Sequence, residues 1–534
     1  MRLFPKIAAS VISAVFLWIS FPPQCESVAV FVALVPLLLI VRRCSAKDAA
    51  LWSFVTGVLF WFATLSWMPA IVKNDGPLPL VVLGWIGLSL WCSFYFALFG
   101  FIVAKLRGRG SVGNLVLIAL AEPIIWAFCE FLRGWLFSGF AWNQLGTALW
   151  NMPTFAAPAR LGGVALVSAL IVLVNGVFAT LFGRVLDTME RRTHENSRLV
   201  RSLETAIPLA IAAVVFACSG SRMQSEGTAL RVALVQRNAP CLFKDRSSEN
   251  PHEIFASLLE GASYAKPDLV VLAESAMGEF GKVSSTGASV AASRISSKTG
   301  ARAILSGGDD VVRDAEGNNR WYNAAAIYSG GTLLDVYHKC HLVPFGEYIP
   351  LDKIITPLQK LSPVGVSLYP GNMKLLELPA GGEDSPSVKI APLICFEDTD
   401  ASLSRRGASL GAQMIALITN DSWFSDSVEP FQHATHAVLR AIETGLPVIR
   451  TGNSGVTGVI TPKGHFTWLS ENDKTPLTDR PGCMIGNVIV SKEPKKTPYV
   501  RFGDWPLIVS ALLVLSLFAL PSRKERNQLY EKVA

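Results

Sequence analysis

Lys389-Ile-Ala-Pro-Leu-Ile-Cys395-Phe-Glu397-Asp398 is an apolar run that stops on a thiol followed within three residues by two carboxylates. Its length and its polar end read as a buried strand running out at a site. Two other runs have the same form. Asp268-Leu-Val-Val-Leu-Ala-Glu274 ends on a carboxylate, and Leu333-Leu-Asp-Val-Tyr-His-Lys339 ends on an amine. Strand ends are rigid mounts for side chains that must converge to within a fraction of an ångström. Each of the three has an ordinary explanation when taken alone. A cysteine closing an apolar strand is commonly inert core, a lysine there marks a solvated edge, and a glutamate starts a helix. Together they are a base, a cation and a nucleophile.

Around these runs the sequence alternates short β-rich stretches with helical ones. Val232–Gln236, Asp268–Ala273, Ala303–Ser306, Ala324–Ser329, Leu333–Tyr337, Lys389–Ile394, Met414–Thr419, Pro447–Thr451 and Val456–Thr461 read as strands. Ser329-Gly330-Gly331-Thr332 and Pro462-Lys463-Gly464 read as hairpin turns. Helices are expected at about 250–265, 287–299 and 431–445. The pattern predicts a layered α/β domain over residues 228–499.

The remainder of the 534 residues is different in kind. The chain is 51% hydrophobic with a mean hydropathy of +0.38, too apolar for an ordinary soluble enzyme. Long uncharged runs at about 7–21, 27–41, 49–71, 79–104, 113–137, 161–183 and 204–219 predict seven membrane spans within residues 1–225, and 504–521 an eighth, leaving a tail of 522–534. Lys and Arg concentrate in alternate connections: Arg42, Arg43 and Lys47; Lys105, Arg107 and Arg109; Arg184 to Arg201; Arg523 to Lys532. Because cytoplasmic loops carry that excess, both termini are expected in the cytoplasm and the α/β domain outside. These loops account for much of the net charge of +7, which argues against a nucleic-acid partner. The basic, apolar N-terminus lacks a small-residue cleavage site. Nine cysteines without paired spacing do not form a disulfide framework.

The local strings are similar to those of the nitrilase superfamily: Glu274, then Tyr337-His-Lys339-Cys-His-Leu-Val-Pro-Phe-Gly-Glu347, then Ile394-Cys395-Phe-Glu397. They continue with Thr419-Asn-Asp-Ser-Trp423, Gln432-His433, Arg440-Ala-Ile-Glu443 and Arg450-Thr-Gly-Asn453. The fusion to about eight spans resembles the bacterial apolipoprotein N-acyltransferases. So do Arg133-Gly-Trp-Leu-Phe-Ser-Gly139 and Thr497-Pro-Tyr-Val-Arg-Phe-Gly-Asp-Trp505.

The resemblance implies a polytopic helical membrane domain joined to an α-β-β-α sandwich. It implies a multi-pass protein of the bacterial inner membrane with its catalytic domain on the periplasmic side, acting as a monomer. It also implies transfer of a fatty acyl group from a phospholipid donor, through a thioester on Cys395, to the free α-amine of a diacylglyceryl-cysteine apolipoprotein, without a cofactor. Glu274 is then the general base, Lys339 the cation beside the thiolate, and Lys339 with the Phe396 N–H the oxyanion donors. Glu347 becomes a second carboxylate orienting Lys339 or the incoming amine, Glu397 a support beside the nucleophile, and Asn323, Trp423 and Arg450 site-lining residues.

Two positions depart from the family pattern. Phe396 stands where Tyr is common, and the segment after Gln236 has Phe243 as the candidate for a commonly present Trp. The pairs His338/His341 and His433/His436 come with no third ligand at zinc-like spacing, so packing or solvated histidines and no metal are expected. Glu130 and Arg133 are expected to pair at i, i+3. The competing reading is a membrane-tethered nitrilase-type amidase acting on a small amide.

Overall fold

The computed structural model describes residues 3–74, 76–109, 115–190, 198–220, 227–239, 251–350, 367–382, 386–471 and 475–519. The chain forms two compact units, residues 1–221 with 502–534, and residues 222–501.

The first unit is helical, with long helices at Leu3–Ile19, Ala46–Thr64, Leu78–Arg109, Leu115–Trp135, Ala159–Met189, Arg198–Ser219 and Trp505–Ala519. Among the described residues, four segments are long and apolar enough to cross a hydrocarbon core: Ala46–Asn74, Leu78–Arg107, Ala159–Met189 and Ser202–Ser219. This is fewer than the eight expected. Leu3–Ile19 has only 17 residues. The segment 27–41 is divided into a 3-10 turn, Ser27–Ala29, and two short helices, Val30–Ala33 and Val35–Val41, the second beginning at a proline. Leu115–Trp135 carries Glu122, Glu130 and Arg133, and Trp505–Ala519 has 15 residues.

Small residues let the helices of this unit meet closely. A Cβ on Gly100 would lie 2.2 Å from Ser53 Oγ and 2.7 Å from the Ala49 carbonyl, so only glycine fits at that crossing. The same unit buries Glu122 completely. Arg42 grips both of its oxygens, from Nε at 2.8 Å and Nη2 at 2.5 Å, and Arg107 adds a contact at 3.4 Å. The loop charge expected at Arg42 is therefore turned inward as a counter-ion. Glu130 and Arg133 do not pair with one another. Glu130 accepts from Trp126 Nε1 and the Leu145 N–H, while Arg133 donates to the Phe140 and Trp142 carbonyls and lies over the Trp61 ring. Each buried charge found polar partners nearer than its helical neighbour.

Among the described residues, the second unit contains twelve strands: β1 Thr228–Gln236, β2 Leu269–Leu272, β3 Ala303–Arg313, β4 Asn319–Ser329, β5 Thr332–His338, β6 Leu376–Leu378, β7 Val388–Ile394, β8 Met414–Thr419, β9 Val448–Gly452, β10 Gly458–Ile460, β11 Phe466–Trp468 and β12 Gly482–Val490. They form two six-stranded sheets in the orders β12-β1-β2-β3-β4-β5 and β11-β10-β9-β8-β7-β6. Each sheet has three parallel strands at its centre, β1-β2-β3 and β7-β8-β9, with antiparallel strands outside them.

Side chains alternate across the central strands with period two. Val232, Leu234, Val271 and Leu305 of the first sheet share a core with Ile390, Ile394, Ala416, Ile418 and Ile449 of the second. Their neighbours Ala233, Val235, Val270, Leu272 and Ile304 pack outward onto Phe255, Leu259 and Ala262 of helix Pro251–Ala265 and Ala288, Ala292 and Ile295 of helix Thr286–Thr299. Helices Ala401–Ser409 and Glu429–Thr444 lie on the second sheet. Burial on both faces explains why these strands read as continuous apolar runs.

Three strands and the helices Ala401–Ser409 and Pro498–Phe502 go beyond the sequence expectation. β6 and β11 have three residues each. β12 is interrupted by Gly486 and Asn487 and is held in place by pairing along the whole of β1. Helix Ala401–Ser409 is mostly Ser, Arg, Gly and Ala, with little apolar periodicity.

Candidate active site

The three central parallel strands of each sheet, together with β5, deliver their C-terminal ends to one region. Glu274 follows β2, Lys339 follows β5, Cys395 follows β7, and Asp421 follows β8. Open α/β sheets place ligands at this end of their strands.

Glu274 is buried, and its Oε1 accepts from Asn323 Nδ2 at 2.7 Å. The same Asn323 nitrogen donates to Glu347 Oε1 at 2.7 Å, so one amide on β4 bridges the two carboxylates. Lys339 is 1% exposed; its Nζ donates to Glu347 Oε1 at 2.9 Å and stands 3.9 Å from Glu274 Oε1. Glu347 also accepts the Val343 N–H, which fastens the loop that carries it. Glycine is required where β3 passes this cluster, since a Cβ on Gly307 would come within 2.7 Å of the Glu274 Cα.

Burial opposes the charge on Lys339, but Glu347, Cys395 and Glu274 together raise its pKa well above 10.5. The ammonium therefore persists at every physiological pH. Burial raises the Glu274 carboxyl, with Lys339 and the Asn323 bond opposing it and Glu347 adding to it. A carboxyl raised in this way is a better proton acceptor in the reacting state than an ordinary glutamate.

Cys395 opens the 3-10 turn Cys395–Thr399, with φ +52°. That left-handed conformation is unfavourable for a side chain bearing a Cβ and is found where surrounding contacts enforce it. Ser275, directly after Glu274, and Phe345, on the Glu347 loop, have φ of +62° and +63°. Cys395 is thus strained itself, and two further strained residues stand beside Glu274 and near Glu347. The thiol is raised well above 9.0 by burial and by Glu274 and Asp421, while Lys339 and the Thr419 hydroxyl favour the thiolate. The resting group is a thiol with a base and a cation within electrostatic reach.

Glu397 is fully buried beneath this turn. It accepts from the backbone N–H groups of Cys340 at 2.6 Å, His341 at 3.1 Å and Ile394 at 2.8 Å, and from the Tyr337 hydroxyl at 2.9 Å. Burial pushes its carboxyl up to about 7, with Lys339 and these N–H groups opposing. Phe396 packs edge-on to His341 at 5.6 Å. Arg440 reaches the Asp398 and Thr399 carbonyls and pairs with Glu443 at 2.8 Å, bracing the turn from the helix behind it. Trp423 is half-buried in the turn Asp421–Phe424. Arg450 is fully buried and donates to Asp421 Oδ2 at 3.0 Å. Phe243 lies outside the described residues.

Sequence spacing hid one group. Donor atoms of Cys395, Asp421 and His433 lie within 4.8 Å of one another, although they come from a turn, a second turn and a helix. His433 is neither solvated nor a simple packing residue: its Nδ1 lies 2.9 Å from Asp421 and its Nε2 3.0 Å from Asp398. The available signal was Asp398 and Asp421 standing at the ends of two apolar strands.

With a buried Glu and Lys and a half-buried Cys at the strand ends of its two packed sheets, the second unit has the nitrilase-superfamily fold, and the carbon-nitrogen hydrolase model matches residues 231–475. The helical part matches the apolipoprotein N-acyltransferase N-terminal domain over residues 13–177. Apolipoprotein N-acyltransferases of Geobacter metallireducens and Azotobacter vinelandii are each 30% identical, over 519 residues (95% of this chain, 94% of that protein) and 505 residues (92% and 90%). The chain belongs to the apolipoprotein N-acyltransferase family. A solved amidase from Nesterenkonia sp. aligns over 55% of this chain and 99% of its own, at 18% identity and a TM-score of 0.34.

Proposed function

We propose that the chain transfers a fatty acyl group from a membrane phospholipid to the free α-amine of an N-terminal S-diacylglyceryl-cysteine, with Glu274, Lys339 and Cys395 as the catalytic residues. The observation that carries this reading is a thiol subject at once to the Glu274 carboxylate and to a Lys339 ammonium that Glu347 holds at 2.9 Å.

Glu274 takes the thiol proton as Cys395 Sγ bonds to the ester carbonyl carbon. The resulting oxyanion is met by the Lys339 ammonium and the Phe396 N–H. The carbon–oxygen bond to the glycerol breaks, Glu274 returns the proton to the departing alkoxide, and acyl-Cys395 remains. The amine then attacks the thioester, Glu274 accepts its proton, and as the carbon–sulfur bond breaks Glu274 passes that proton to the departing sulfur, giving an amide and the free thiol. An ester donor is already activated relative to an amide, so the scheme runs on the chain's own residues. Asn323 and Glu347 hold the base and the cation at their separation.

The distribution of Lys and Arg supports a chain embedded in the bacterial inner membrane through about eight spans, with both termini cytoplasmic and residues 228–499 periplasmic. Lipid donor and exported acceptor meet on that side. The family relationship and the helical unit favour this reading over hydrolysis of a small soluble amide.

The test is to incubate the purified full chain with phospholipid and measure intact mass. An acyl adduct on Cys395 that is discharged by a diacylated lipopeptide is expected. Acyl transfer by Cys395→Ala would overturn the mechanism.

A further inference from the structure

Behind the nucleophile, four elements send ionisable side chains into one buried cluster: Asp398 from the turn Cys395–Thr399, Asp421 from the turn Asp421–Phe424, Glu429 and His433 from the helix Glu429–Thr444, and Arg450 from β9. Asp421 and a His433 ring nitrogen both lie within 4.8 Å of the thiol sulfur, and the Thr419 hydroxyl, 2.7 Å from Asp421 Oδ1, links Asp421 to it. A carboxylate in that place works against a thiolate. The acyl-transfer scheme needs the thiolate, so something must offset Asp421.

We propose that His433 is a positioning residue for the thiol chemistry: held as an imidazolium between Asp398 and Asp421, it neutralises Asp421 at the back of Cys395 so that the thiolate can form in front. This rests on Cys395 being the nucleophile.

Nδ1 lies 2.9 Å from Asp421 Oδ1 and 3.1 Å from Arg450 Nη2, and Nε2 lies 3.0 Å from Asp398 Oδ1, so the ring sits between two carboxylates. Burial works against a charge on the ring, but Asp398 and Asp421 outweigh it and hold the imidazole well above 6.5. Glu429, 3.8 Å from Nδ1, is driven well above 4.5 by burial and by Asp421, with His433 and Arg450 opposing. Within the cluster the Asp398 and Asp421 carboxyl groups thus face two basic side chains, His433 and Arg450. Glu274, Lys339 and Asp421 bear on the thiol electrostatically, and the His433 ring stands beside Asp421 within 4.8 Å of it.

A metal shared by Cys395, Asp421 and His433 does not fit these neighbours. The Arg450 guanidinium lies 3.0 Å from Asp421 Oδ2 and 3.1 Å from His433 Nδ1, a fixed cation among the donors a metal would need. Gly455 completes the arrangement: with φ +104° it passes so close to Asp421 that a Cβ would collide with the carboxylate.

The experiment follows alkylation of Cys395 by iodoacetamide in the full-length detergent-solubilised protein, between about pH 6 and 10, with peptide mass mapping to separate it from other cysteines. In His433→Asn the midpoint is expected to move up by about one pH unit or more, and acylation by phospholipid vesicles at neutral pH to slow by about tenfold, recovering as pH rises. An unchanged midpoint with uniformly slower acylation would mean a purely structural histidine and overturn the inference.

The double variant Asp421→Asn/His433→Asn strands neither member of the pair and guards against misfolding of the single one. Its midpoint is expected within about half a unit of wild type. A rise as large as one unit there would show that His433 does not act through Asp421, and would equally overturn it. If wild-type Cys395 is alkylated but takes no acyl group from phospholipid, the acyl-transfer reading fails while the midpoints still decide the role of His433.

Discussion

Glu122 in the helical unit and Glu274 in the α/β unit are both buried carboxylates with a basic partner, and they are treated in opposite ways. Arg42 closes on both oxygens of Glu122, and Arg107 adds a second cation. Around Glu274 the corresponding cation is held 3.9 Å away, because Glu347 takes its short bond, and a neutral amide fills the gap. A saturated carboxylate has no capacity left for a proton. One whose cation has been drawn aside keeps that capacity, which a general base requires. Counting buried ion pairs would rank the two alike; distance and the presence of a competitor separate them.

The comparison can be broken at its reactive end first. Cys395→Ser is expected to lower acyl-adduct formation by ~10^3-fold or more, read by intact mass, since the weaker nucleophile faces the same base. Glu274→Gln keeps the shape and removes the proton acceptor; single-turnover acylation should fall by ~10^2 to 10^4-fold with folding intact. At the saturated end, Arg42→Met leaves Glu122 with only its long contact to Arg107. Destabilisation of about 3–5 kcal/mol is expected, seen as a lower thermal midpoint in detergent. Replacing Arg42 and Glu122 together by Met should restore much of that loss, and a double variant as unstable as the single one would show that the pair does more than balance charge.

Glu397 is a third case, with four donors and no cation in contact. Its folded-state value of about 7 is above the ordinary 4.5. It therefore contributes stability below about pH 4.5 that is lost as pH rises through 7, on the order of 3 kcal/mol. The difference in unfolding free energy between wild type and Glu397→Gln should change in that direction across that window, and a flat difference would place the titration elsewhere. The smallest effect is expected from Asn323→Ala. Its bond to Glu274 favours the carboxylate, so without it the acidic limb of the rate profile should move to higher pH and the rate at neutral pH drop by roughly tenfold.

The central strands that end at the candidate site are legible because burial on both faces leaves an unbroken apolar run, and a polar residue at its end is conspicuous. β7 and β8 are of this kind. β12 was not, since its place depends on pairing with β1 across more than 240 residues of chain and not on its own Gly-interrupted sequence. The same distinction divides the site. Glu274, Lys339 and Cys395 each close a short apolar run, and it is their occurrence together that sequence makes readable. The His433 cluster assembles from four separate elements, and no spacing within one segment encodes it. The span count suffers from a related limit, because apolar length registers a helix but not the break at Pro36 or the inward turn of Arg42.

Glu397 joins segments that the sequence keeps more than 50 residues apart: one carboxylate holds the N–H groups of Cys340 and His341, just past Lys339, and that of Ile394, just before Cys395. Ammonium and thiol are thereby mounted on a single bracket. When the protein breathes, they shift together, and the spacing that chemistry depends on is preserved even where loops around it rearrange. Anyone transplanting this centre into another scaffold would need to carry four residues, with the buried glutamate as the part that keeps the other three in tune.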